Sequence, residues 1–305
     1  MIKLCFKIFA AAAIFILVGH FGYAQGCSDA GFCSLKYHDN TIKNYKNSIA
    51  IGNTSGIADG NTFINASYIT YSRELHKKVY WDTKVTANYA SGKLANNFNA
   101  GDVFTSFSLQ AAASKDYARL LKILAGLKIP LTAANDKAGG KPLPMAYQSS
   151  LGTYDLLLGI NYNINNWEFT NAWQLPLTKQ NKNTFLKEYT VSNDFPSTNK
   201  FQRKADVLIR AAYDIKKAAK NISLKPNILA IYHLADDSYE DIFSMRRTLT
   251  GSQGLTLNAN IIGKYAINKS SSIELSLAAP FVVRDVRPDG LTRKFTAGLE
   301  YKFSF

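Results

Sequence analysis

Lys294-Phe295-Thr296-Ala297-Gly298-Leu299-Glu300-Tyr301-Lys302-Phe303-Ser304-Phe305 ends the chain in an unbroken two-residue alternation. Strand side chains point to opposite faces in turn, so a strand here puts Phe295, Ala297, Leu299, Tyr301, Phe303 and Phe305 on one side. Lys294, Thr296, Gly298, Glu300, Lys302 and Ser304 fall on the other. The same split recurs at 79–89, where Val79, Trp81, Val85, Ala87 and Tyr89 oppose Tyr80, Asp82, Lys84, Thr86 and Asn88. It recurs again at 204–214, where Ala205, Val207, Ile209, Ala211 and Tyr213 oppose Lys204, Asp206, Arg210 and Asp214. The fold class is therefore all-β. A soluble sandwich with a charged outer face shows this alternation too, and so does a membrane barrel with a charged lumen.

Two features favour the barrel. Trp81, Tyr89, Tyr154, Tyr162, Trp167, Trp173, Tyr232, Tyr265 and Phe281 recur near segment ends on the apolar face, as aromatic girdles at two membrane interfaces require. Connection lengths supply the second. Strands are predicted near 62–71, 77–90, 103–113, 117–130, 153–164, 166–177, 203–214, 221–232, 254–266, 272–283 and 292–305. Short links (72–76, 114–116, 165, 215–220, 267–271) alternate with long ones (91–102, 131–152, 178–202, 233–253, 284–291), the asymmetry of short periplasmic turns and longer outer loops. An upward strand must precede 62–71, and Tyr45–Gly52 supplies it, giving about 12 antiparallel strands with both termini periplasmic. A helix over 111–124 is the local rival. The period-two face Leu121, Ile123, Ala125, Leu127, Ile129, running to Pro130, favours a strand.

The other end of the chain gives the compartment. Lys3 and Lys7, an apolar run from Ile8 to Val18 and then Gly22-Tyr23-Ala24 form a cleaved secretory signal, 1–24, too short to span a bilayer. A segment 25–44 follows on the periplasmic side, and 45–305 forms the barrel. Cleavage leaves Cys27 and Cys33 as the remaining thiols, and export predicts that they are bridged. It also takes Lys+Arg from 36 to 34 against 22 Asp+Glu, a net charge of +12. That surplus suits outer-membrane lipids and anionic lipopolysaccharide or anionic solutes, while export excludes nucleic acid as a partner.

No catalytic constellation stands out. A lipid hydrolase needs a serine beside a base; the one arrangement to weigh is Ser238 with His233, which reads better as an exposed loop histidine. Asp236, Asp237, Glu240 and Asp241 read as a solvated loop face, and no cofactor is implied. The inward face is more informative. It carries Lys84, Lys122, Lys128, Lys204, Arg210, Lys225, Lys264, Lys294 and Lys302 against Asp82, Asp155, Glu168, Asp206, Asp214, Glu274 and Glu300, nine basic to seven acidic. Such a wall either pairs across strands and fills a plugged structural or adhesive barrel that works through its loops, or lines a narrow channel for small organic, aromatic or weakly anionic solutes.

Gly126-Leu127-Lys128-Ile129-Pro130, a long loop, then Leu151-Gly152-Thr153-Tyr154-Asp155-Leu156 through Tyr162, with Trp167 and Gln174 beyond, resembles the outer-membrane MetA-pathway of phenol degradation family. Leu131-Thr132-Ala133 departs from that family's Thr-Gly after the proline. The resemblance implies a barrel in the bacterial outer membrane admitting small hydrophobic or aromatic compounds, with no catalytic residue. Tyr301, Phe303 and Phe305 resemble the C-terminal aromatic signal read by the outer-membrane assembly machinery.

Overall fold

The structure, a computed structural model, describes residues 24–25, 45–190 and 194–305. The expected signal cleavage and the Cys27–Cys33 bridge lie outside the described residues, save for Ala24 and Gln25 themselves. Twelve long strands make the wall: β1 (Asn47–Ala58), β2 (Phe63–His76), β3 (Val79–Ser91), β4 (Asn96–Ala113), β5 (Arg119–Pro130) and β6 (Asp155–Ile164). The second half adds β7 (Trp167–Pro176), β8 (Asp206–Tyr213), β9 (Ile222–His233), β10 (Gly254–Ala266), β11 (Ser271–Val282) and β12 (Thr292–Ser304). Each pairs antiparallel with its sequence neighbour, and β12 pairs with β1, Phe303 opposite Ile49 and Glu300 opposite Gly52. The sheet thus closes and leaves no edge. Closure is what a membrane demands, because hydrocarbon offers no partner to an unpaired backbone N–H or C=O.

Among the described residues no helix is long and apolar enough to cross a membrane; the chain crosses with strands. Burial follows the alternation, inward residues buried and outward ones more exposed, as at Tyr80, Asp82, Lys84 and Thr86 against Val79, Trp81, Thr83 and Val85 at the start of β3. The outward positions are large and apolar, Val85, Phe107, Ile123, Ile160, Ile209, Leu275 and Leu299 among them.

Both chain ends of the wall meet at one rim, where Asn47 and Phe305 exchange backbone hydrogen bonds of 2.9 and 3.1 Å. This rim also holds the short connections, which makes it the turn end. At the turn between β6 and β7, Asn165 takes φ 54°, a left-handed conformation that Asn tolerates better than most residues. The opposite rim, the loop end, carries 131–154, 177–205, 234–253 and 283–291.

Several expected boundaries are corrected. The first strand runs past Gly52 to Ala58, and the link expected over 91–102 shrinks to 92–95 because β4 begins at Asn96. The 111–124 region is a strand, a turn and a strand, with Gln110 opposite Lys122 and Ala112 opposite Leu121. The turn expected over 215–220 shortens as well, since Ile215–Ala219 continues along β9.

The long loops fold back onto the loop end. Tyr147, Phe185 and Phe195 bury against Ala58, Ile64 and Ala90 of the strand ends, while Met145, Leu151, Phe201, Leu249 and Leu291 form a second cluster. Asn183, fully buried, donates to the carbonyls of Ala134 (2.8 Å) and Leu143 (3.1 Å), so backbone groups taken from water by the cap keep partners.

Candidate functional site: the barrel interior

Most of the inward charges named from the sequence face the interior, and pairing across strands organises them into tiers. Lys294 is a correction: a bulge between Arg293 and Thr296 buries Arg293 instead and leaves Lys294 in an exposed contact with Asn61 Oδ1 (2.7 Å), while Lys204 lies outside the strands. Toward the loop end, Lys128 of β5 meets Asp155 of β6, adjacent in register, with Nζ 2.9 Å from Oδ2 and both side chains shut off from solvent. Lys128 also donates to Thr153 Oγ1 (3.2 Å), Thr153 donates to Asp155 Oδ1 (2.7 Å), and the Gln174 amide donates to the other carboxylate oxygen. A buried charge is tolerable only with such full coordination.

Toward the turn end, Glu168 of β7 accepts from Arg210 of β8 at 2.6 Å and from Lys225 of β9 at 3.1 Å, and Lys225 reaches Asp214 at 3.4 Å. On the other wall Tyr68 donates to Glu300 Oε2 at 2.9 Å, while Lys84 Nζ sits 3.9 Å from the centre of the Tyr68 ring. That ring lies across Gly52, where any Cβ would come within 2.3 Å of it, so glycine is needed for the close approach. Asp82 and Lys122 are buried inward on β3 and β5, and Lys264 stands opposite Glu274 between β10 and β11.

The structure also brings in residues that a reading of charges passed over. Phe104, Leu124, Leu157, Ala172, Leu208, Leu229 and Ile231 form one buried apolar cluster on the inner face of β4 to β9. It lies between the Lys128–Asp155 tier and the Glu168–Arg210–Lys225 tier, since Leu157 stands opposite Gln174 and Leu229 opposite Arg210. The signal was present in the sequence: Leu120, Leu124, Leu157, Leu208 and Leu229 break the polar side of the alternation.

At the loop end a second ionic cluster ties the cap to the wall, and it overturns two expectations. His233 is buried rather than exposed, its Nδ1 2.6 Å from Asp206 Oδ1 and its Nε2 2.8 Å from Asp237 Oδ1. Both ring nitrogens face carboxylates, the arrangement of a doubly protonated imidazolium. Asp237 is likewise buried, not part of a solvated face. Ser238 Oγ donates to Gln202 (3.1 Å), so serine and histidine form no nucleophile–base pair. Arg203 donates to Asp206 and sits 3.6 Å from Asp289; Arg284 donates to Asp289 (2.5 Å) and to the Ser252 carbonyl (2.9 Å). Burial by itself raises the Asp289 carboxyl, but Arg284 and Arg203 beside it prevail and hold it well below the usual carboxylate range.

A closed wall of 12 antiparallel strands, apolar outside and charged inside, is the geometry of one class of membrane protein. Among solved structures the chain is similar to the COG4313 outer membrane channel from Pseudomonas putida F1, with a TM-score of 0.56 and 10% identity over 89% of this chain and 100% of that one. The fold is that of the outer-membrane barrels. The CymD monoaromatic hydrocarbon channel aligns at TM-score 0.45 and 8% identity over 92% of this chain and 93% of that one. The KdgM porin aligns at 0.41 and 8% over 84% and 99%. No family model and no curated protein matches the sequence. The barrel sits in the bacterial outer membrane, its exposed apolar face against lipid.

Proposed function

We propose that the protein is an outer-membrane channel for passive entry of small organic solutes, with the loop end outward and the turn end periplasmic. One observation carries this reading: the apolar cluster Phe104–Leu124–Leu157–Leu208–Ile231 on the inner wall, placed between two ionic tiers. The cluster lies inside the barrel, neither on the lipid side nor in the loop cap, and adds an apolar tier to a charged wall. A solute with an apolar body and a weakly anionic end finds both kinds of surface along this path. Lys84, Lys122, Lys128, Arg210, Lys225 and Lys264, balanced by Asp82, Asp155, Glu168 and Glu300, are the wall it would pass. The resemblance to the phenol-degradation family supports the same class of solute, and the likeness to the COG4313 outer membrane channel supports a channel. The C-terminal Tyr301, Phe303 and Phe305, outward and exposed, fit the assembly signal.

The competing reading is a plugged structural barrel, favoured by the fully buried Lys128–Asp155 pair and the packed cap. Single-channel recording of the refolded protein in planar bilayers separates the two. Discrete conductance, reduced by added aromatic acids, is expected; a folded barrel that never conducts refutes the channel.

A further inference from the structure

The lipid face of β1 and β2 departs from the apolar outer wall at four adjoining positions. At the outward positions Asn53, Ser55, Asn65 and Ser67, polar side chains stand where every membrane barrel needs apolar ones. In register, Asn53 lies opposite Ser67 and Ser55 opposite Asn65. Toward the turn end they are followed by Ile51 and Ile69, toward the loop end by Ile57 and Phe63, all exposed, so the cluster lies within the apolar band and not at its margin. On the far side of the barrel, across β5 to β8, the outward row Ile123, Ile160, Asn171, Ile209 carries a single amide.

The four groups are tied together. Asn53 donates to Asn65 Oδ1 (2.7 Å) and Ser67 Oγ (2.9 Å); Asn65 donates to Asn53 Oδ1 (2.8 Å) and Ser55 Oγ (2.8 Å); Ser55 donates to Asn53 Oδ1 (3.3 Å). These bonds engage every amide hydrogen of the two asparagines. They leave the Asn65 carbonyl able to accept another bond and the Ser67 hydroxyl able to donate one. Acyl chains satisfy neither. Beside the cluster runs a groove of about 630 Å³ on the outside of the wall, bordered by Ile51, Ile69, Val85, Leu299 and Tyr301, with Asn53 and Ser67 in its lining.

The geometry points to this patch as the contact between two copies of the chain in the membrane. An occupant at this depth must be apolar over most of its surface, to share the bilayer, and polar at one height. A second barrel of the same sequence meets both conditions. A two-fold axis along the membrane normal keeps each residue at its own depth, so the cluster faces its own copy. There Ser67 can donate to the copy's Asn65, and the reverse, in a self-complementary contact. Hydrogen bonds between side chains across a membrane interface contribute to association, because lipid offers no alternative. The groove supplies a recess for apolar side chains that project from the facing wall. The inference does not depend on whether the lumen conducts.

The test uses the full-length protein refolded into phosphatidylcholine vesicles, with donor- and acceptor-labelled populations mixed at decreasing protein-to-lipid ratio. Energy transfer that follows mass action is expected for the native chain. Replacing the cluster (Asn53→Leu, Ser55→Ala, Asn65→Leu, Ser67→Ala) should weaken association at least tenfold, while Asn171→Leu on the far wall leaves it unchanged. Heat-dependent gel mobility confirms that each barrel is folded. Should the fourfold variant not fold, a photo-crosslinking amino acid at position 67 answers alone: it should give a covalent dimer, and the same group at position 209 should not. No transfer in the native protein, undiminished transfer in a folded variant, or crosslinks from position 67 to lipopolysaccharide only would overturn the proposal.

Discussion

Lys128 and Asp155 permit a quantitative test of how the interior is held together. Both are sealed from solvent, and the ammonium has two anchors, Asp155 at 2.9 Å and Thr153 at 3.2 Å. Lys128→Met leaves a buried carboxylate that still accepts from Thr153 and Gln174. Asp155→Leu leaves a buried ammonium with Thr153 alone among these partners, and also strands the Gln174 amide. Breaking one side of a buried pair costs about 3–5 kcal/mol, so Lys128→Met should fall toward the lower figure and Asp155→Leu toward the upper. The double variant replaces the pair by apolar groups of similar bulk beside Phe104 and Leu157, and should recover to within about 2 kcal/mol of the native protein. Urea unfolding in vesicles, followed by fluorescence of the outward Trp81, Trp167 and Trp173, measures all four corners of the cycle. Single variants each within about 1 kcal/mol of native, or a double variant as unstable as the sum of the singles, would refute the claim that this pair is a coupled, desolvated unit.

The remaining expectations concern the other tiers and the rims. Asp206→Asn removes the carboxylate shared by Arg203 and His233, so it should loosen the cap by about 3 kcal/mol; faster proteolysis within 177–205 and a larger conductance would register it. Glu168→Gln leaves Arg210 and Lys225 with less neutralising charge, and reversal potentials under a salt gradient should shift toward anion preference. Asp289 has its pKa lowered in the folded protein, so its contribution is present above the ordinary carboxylate value of about 4 and is lost only as pH falls through the depressed one. Cap protection from protease should therefore hold from neutral pH to about pH 5 and fail only in stronger acid. Deleting Phe305 should lower the amount of folded barrel in the outer membrane and leave unit conductance unchanged, as quantitative gel analysis and recording can show together.

The alternation at 294–305, 79–89 and 204–214 determines strands with one apolar and one polar face, and the aromatic positions and alternating connection lengths turn that sheet into a barrel. It also placed Lys128, Asp155, Glu168 and Arg210 inward. Where local pattern and environment disagree, the sequence misled. The first strand, expected over Tyr45–Gly52, continues to Ala58 because its backbone pairs with both β12 and β2 regardless of what its side chains face. Asn96–Gly101, expected within a long link, is strand in the same way. His233, Asp237 and Arg284 gave no sign of belonging together, since they come from separate loops and strand ends, and their burial follows from how those loops pack. Period-two alternation is local and survives in any short window of sequence. The ionic latch, the apolar tier of the lumen and the polar patch on the lipid face depend on residues far apart in the chain, which only closure of the wall brings to one place.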